Sequence, residues 1–135
     1  MLEALHGYDE DLRGKRVLIV DDDVRNIFAL SSLLERRGMN VLTAGTGQEA
    51  VSILQSADDI AIVLMDIMLP GMDGYETMHV IRQNQSLRRL PIIALTAKAM
   101  KGDREKCLEA GASDYLAKPV NTEQLLSALR MWLHR

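Results

Sequence analysis

The chain has 135 residues, 47% of them apolar and 26% charged, with a formal net charge of −3. A chain of this length fits one domain whose core needs no staple, and its single cysteine, Cys107, excludes an internal disulfide. The mild acidity excludes the basic footprint of a direct nucleic-acid binder, and no apolar run approaches the ~20 residues that cross a bilayer.

Residues 1–14 lack periodicity, carry Glu3, Asp9, Glu10 and Asp11, and have no signal-peptide core. They are expected to form a linker or extension ahead of a domain over 15–135. The expected location is cytoplasmic, either alone or as the cytosolic part of a larger sensor protein.

From Arg16 onward, short apolar runs alternate with helical patterns. Val17–Val20 is β-branched and apolar on both faces, as a buried parallel strand must be. Ile27, Leu30 and Leu34 recur at helical spacing, with Gly38 as a stop. Val41–Ala44 reads as a second strand. Thr46 and Glu49 then match a capping box, followed by a helix whose apolar face is Ala50, Val51, Ile53 and Leu54. Ile60–Met65 is a third strand, closed by Asp66. Pro70–Gly74 has turn chemistry, and Tyr75, Met78 and Ile81 mark a third helix. Pro91–Leu95 is a fourth strand, ending at Thr96. A helix holding Cys107 and Leu108 stops at Gly111, with Cys107 read as core filler. Tyr115–Ala117 is a fifth strand, followed by Lys118-Pro119. Asn121 caps a last helix with the face Leu125, Leu129, Trp132 and Leu133. Strict alternation of five strands and five helices predicts an α/β domain with a parallel sheet and right-handed crossovers.

The polar residues fall at strand ends. Asp21 and Asp22 follow the first strand, Asp66 the third, Thr96 the fourth and Lys118 the fifth. Open parallel sheets bind ligands beyond the carboxyl ends of their strands, at a topological switch point. With the order 2-1-3-4-5, the three carboxylates converge on one pocket, and Thr96 and Lys118 stand on its other side. Converging carboxylates repel each other, and a hard divalent cation with oxygen ligands, Mg²⁺ or Mn²⁺ in its place, relieves that conflict. A lysine and a hydroxyl beside such a site suit a phosphoryl group, whose transfer depends on positioning and on neutralising the charge of its oxygens. The residues therefore point to a Mg²⁺-dependent phosphoryl site with an Asp nucleophile.

Taken together, Val17–Asp23, Val63–Gly74, Leu95-Thr96-Ala97 and Tyr115–Pro119 resemble the receiver domain of two-component response regulators. Any one of these motifs is weak, but four in order, each at a strand end, are specific. The resemblance spans roughly 15–134 and implies the flavodoxin-like doubly wound (βα)5 fold. By that resemblance, Asp66 is the phospho-acceptor. Asp22 binds the metal directly, Asp21 acts through water, and Met68 offers its backbone carbonyl. Thr96, with Ala97 beside it, forms the phosphate-binding switch. Lys118 pairs with the acceptor and the phosphate, Pro119 follows a cis bond, and Tyr115 holds the aromatic switch position. The stretches Asp21–Leu30 and Thr96–Asp103, with the lead-in Leu12–Lys15, are similar to receivers of hybrid histidine kinases. The implied partner is a histidine kinase or histidine phosphotransfer protein, and the implied assembly is a monomer or weak dimer.

Two other classes compete. An aspartyl-phosphate phosphatase needs a second carboxylate two residues after the nucleophile, where this chain has Met68. A flavin carrier or unphosphorylated scaffold would need a phosphate-cradling loop after the first strand or a broken site, and three acids stand there instead. The expectation is a phosphorylation switch that hydrolyses its own acyl phosphate slowly and carries no other enzymatic activity.

Overall fold

Strands β1 (Arg16–Val20), β2 (Asn40–Ala44), β3 (Ile60–Asp66), β4 (Ile92–Thr96) and β5 (Asp114–Ala117) alternate with helices α1 (Val24–Arg36), α2 (Gly47–Ser56), α3 (Gly74–Gln83), α4 (Asp103–Ala110) and α5 (Thr122–Leu133). A short 3₁₀ turn, Gln85–Leu87, precedes β4. These elements come from a computed structural model that describes residues 10–97 and 102–134. All strand pairs are parallel, in the order β2-β1-β3-β4-β5. The chain thus has the flavodoxin-like (βα)5 architecture expected from its sequence.

The strand sequences explain why helices cover both faces. Successive side chains of a strand point to opposite faces, and here both sets are apolar. Leu18, Val20, Val63, Met65, Ile92 and Ala94 face one way and pack with Ala50 and Leu54 of α2, Met78 and Ile81 of α3, and Cys107 of α4. Val17, Ile19, Ile62, Leu64, Ile93 and Leu95 face the other way and pack with Leu34 of α1 and Leu125, Leu129 and Leu133 of α5. Cys107 is fully buried, in keeping with a packing role.

Leu12 belongs to the second of these cores and is fully buried. Around it the Gly14 N–H donates to the Gly38 carbonyl at 2.8 Å, and the Lys15 ammonium donates to the Leu133 carbonyl at the end of α5 at 2.6 Å. Residues 1–9 lie outside the described residues.

Local signals set the helix starts. The Asp23 carboxylate accepts from the Arg25 N–H at 2.9 Å, and the Asn121 side-chain amide oxygen accepts from the Gln124 N–H at 3.0 Å; caps of this kind contribute about 1 kcal/mol each. The expected box at Thr46 is only half present. Thr46 accepts from the Glu49 N–H at 3.0 Å, but Glu49 reaches one residue further back, accepting the Gly45 N–H at 2.7 Å. The complete box starts α3, where Asp73 accepts from the Glu76 N–H and the Glu76 carboxylate accepts from the Asp73 N–H. That box fixes the start of the helix that follows β3. Gly74 makes the fit close: a Cβ there would stand 2.5 Å from the Asp66 carbonyl oxygen and 2.6 Å from Ile67 Cα.

Candidate functional site

The parallel register brings the strand ends level. Val20 pairs with Met65, Asp66 with Leu95, and Thr96 with Ala117. The residues after β1 and at the end of β3 therefore share one cleft, beside the exit of β5. Asp21, Asp22 and Asp66 each offer a carboxylate oxygen, and these atoms lie within 4.8 Å of one another. Asp21 and Asp66 are buried, while Asp22 faces solvent. Three oxygen donors with one open side fit a small hard dication that keeps part of its water shell.

Lys118 bridges the buried pair. Its ammonium stands 3.2 Å from Asp66 Oδ2 and 3.4 Å from Asp21 Oδ2. Asp66 Oδ1 accepts the Met68 backbone N–H at 3.1 Å. Burial pushes the Asp66 carboxyl above its ordinary value and the nearby Asp21 charge adds to this; the Met68 N–H and Lys118 pull the other way without cancelling it. One ammonium shared between two buried carboxylates leaves the pair short of positive charge, which is the condition a bound cation corrects.

Thr96 is 3% exposed at the end of β4, and its carbonyl accepts the Lys118 N–H at 2.7 Å, tying the two strand ends together. Ala97 is exposed in the bend that follows. Tyr115 is half-buried on β5 and lines the groove between β5 and α5 with Ala128 and Met131. The Lys118-Pro119 bond is cis. Lys98, Ala99 and Met100 lie outside the described residues.

The geometry also recruits a residue that motif reading did not place in the site. The Asn26 side-chain amide donates to Asp21 Oδ2 at 3.3 Å. It lies in the first turns of a helix that starts at Val24. An asparagine there reads as solvated, and only the tertiary fold shows its carboxylate partner.

The family model for the response regulator receiver domain matches residues 17–130. Sensor histidine kinase GacS of Pseudomonas protegens is 40% identical over 123 residues, covering 89% of this chain but only 13% of the kinase. Among solved structures, a sensor histidine kinase receiver domain from Pseudomonas aeruginosa, with a magnesium ion coordinated in its active site cleft, superposes with a TM-score of 0.83 at 39% identity, over 90% of this chain and 99% of that one. A chain in the co-crystal of the Saccharomyces cerevisiae histidine phosphotransfer protein Ypd1 and the Ssk1 receiver domain superposes with a TM-score of 0.84 at 32% identity, over 90% of each. This chain therefore belongs to the response regulator receiver domain family and is a receiver of two-component phosphorelay signalling. No helix among the described residues is long and apolar enough to cross a membrane.

Proposed function

We propose that Asp66 accepts a phosphoryl group from a phospho-histidine on a partner protein, in a reaction that depends on Mg²⁺. The observation that carries this reading is the contact of Asp66 with Lys118 inside the carboxylate cluster. Asp66 Oδ1 is turned by the Met68 N–H, and Oδ2 faces the ammonium. An Asp66 oxygen would attack phosphorus as the phosphorus–nitrogen bond breaks. The electron pair of that bond returns to the imidazole, which takes a proton from solvent. Lys118 stands where the phosphoryl oxygens would arrive, and removing such a positioned charge typically costs about 100-fold in rate. Asp21, Asp22 and Asp66, with the Met68 carbonyl, would hold the cation. When bound, it supplies charge neutralisation for the carboxylates and the phosphoryl oxygens.

Thr96 and Ala97 lie next along the sheet edge, and Tyr115 one strand further. In this reading the acyl phosphate draws the Thr96 hydroxyl toward it, and the freed space resets Tyr115, altering the α4–β5–α5 face. Such a switch shifts an existing equilibrium, because the phosphate contacts one state better. The position two residues after Asp66 is Met68, which cannot act as an acid or base, so the phosphorylated state lasts minutes or longer without an added phosphatase. Val24 and Phe28, each 75% exposed, begin the helix after Asp22, and Met68 is 61% exposed. Apolar side chains beside the site suit docking by a histidine kinase or a histidine phosphotransfer protein.

The test is labelling of the chain with a small acyl phosphate at graded Mg²⁺. Labelling that requires Mg²⁺ and is abolished by Asp66→Asn is expected; undiminished labelling of that variant would overturn the assignment.

A further inference from the structure

Asp21 is 1% exposed, and its two oxygens face three donors. Oδ1 accepts the Asp23 backbone N–H at 2.8 Å. Oδ2 accepts both the Asn26 amide at 3.3 Å and the Lys118 ammonium at 3.4 Å. The same ammonium lies 3.2 Å from Asp66 Oδ2. A carboxylate only accepts hydrogen bonds, so Asn26 must present its NH₂ to it. Asn26 and Lys118 thus share one oxygen, and Asn26 brings no charge.

We infer that Asn26 is a positioning residue: by occupying part of Asp21 Oδ2, it keeps Asp21 from capturing Lys118 and leaves the ammonium on Asp66. This rests on the acceptor reading of Asp66 proposed above. A buried carboxylate that loses a donor must be compensated by what remains. Here that means closer approach of Lys118, or water from the adjoining cavity of about 490 Å³ lined by Asn26, Leu30, Leu95 and Val120. Closer approach to Asp21 draws the ammonium away from the atom to be phosphorylated. An aspartate at position 26 would strengthen that pull, because it replaces a donor with a second carboxylate.

Two readouts test this on the full chain. In metal-free protein carrying ¹³C-lysine, Asn26→Leu is expected to move the Lys118 ε-carbon resonance, while Phe28→Ala on the same helix leaves it in place. With a small acyl phosphate, Asn26→Leu is expected to lower the rate at saturating Mg²⁺ by about fivefold, with half-saturating Mg²⁺ within about twofold of the unaltered chain. Asn26→Asp lowers that rate too, yet reaches half-saturation at less Mg²⁺, a split that a loosened helix would not produce. Asn26→Gln keeps the amide, and the cavity beside it admits one more methylene, so the rate returns to within about twofold. An unmoved Lys118 resonance, an unchanged Asn26→Leu rate, or an Asn26→Gln protein as slow as Asn26→Leu overturns the inference. Equal labelling of Asp66→Asn and the unaltered chain would instead remove the acceptor reading, and the resonance would still decide the role of Asn26.

Discussion

At the amino ends of β4 and β5, Arg82 in the last turn of α3 lies half-buried against the loop after α4. Its guanidinium donates to the carbonyls of Gly111 at 2.9 Å, Leu87 at 2.7 Å and Arg88 at 3.3 Å, and to the Ser113 hydroxyl at 3.4 Å. That hydroxyl in turn accepts the Ile92 N–H at 3.1 Å. At the opposite end of the sheet, Asp21 and Asp66 are buried more deeply than Arg82, yet they share one ammonium. Burial pulls the Arg82 guanidinium below its ordinary value and pushes the Asp66 carboxyl above its own. The difference lies in the partners. Arg82 meets neutral acceptors from four separate backbone or hydroxyl groups that hold its guanidinium in place. The acidic end lacks positive charge, and that deficit is what a bound cation can fill. One end of the sheet is a clamp and the other is the candidate site.

Substitutions at the two ends should therefore separate function from stability. Lys118→Met should produce the largest effect, lowering the saturating labelling rate by about 100-fold while the protein remains folded, as initial rates and circular dichroism would show. Arg82→Leu should do the reverse. Left with unsatisfied carbonyls, the fold should lose about 3 kcal/mol in urea denaturation, while the labelling rate of the folded protein stays within about twofold. Equal loss of rate in both variants would break the comparison. Gly74→Ala couples the two properties, because its Cβ runs into the backbone of Asp66 and Ile67. It should cost about 2 kcal/mol and also slow labelling.

The smallest effect concerns Asp66 itself, measured in chelator. Its folded pKa lies above the ordinary carboxylate value of 3.8, so the charged form is the one the fold disfavours. Asp66→Asn should then melt slightly higher than the unaltered chain at neutral pH. As pH falls through the raised pKa, native Asp66 takes up a proton and sheds that penalty. The difference should shrink and be gone below the ordinary value of 3.8. A melting difference that grows on acidification would contradict the assigned direction.

Much of this site was legible in the sequence because strand ends are strongly determined. A short β-branched run such as Val17–Val20, apolar on both faces, reads as a buried strand, and the polar residues that stop it then fall at its carboxyl end. The ends of β1, β3, β4 and β5 could therefore be read one at a time and combined through the 2-1-3-4-5 order. What escaped depended on partners distant in sequence or on a one-residue choice among equivalent donors. Arg82 reads as a solvated helix residue until Gly111 and Ser113 fold against it. Leu12 stands in a stretch without periodicity, and its burial depends on contacts with the rest of its core. Glu49 accepts the N–H of Gly45, one residue before the Thr46 cap, a choice the spacing alone does not decide. Asn26 required both the helix and the position of Asp21.

The most direct test of the central claim is chemical mapping of the acceptor. The chain would be labelled with an acyl phosphate and Mg²⁺ and then reduced with borohydride, which converts an aspartyl phosphate to homoserine. Peptide mass spectrometry would then locate the converted residue. The account predicts homoserine at position 66 alone. Conversion at position 21 or 22, or at none of the three, would contradict it.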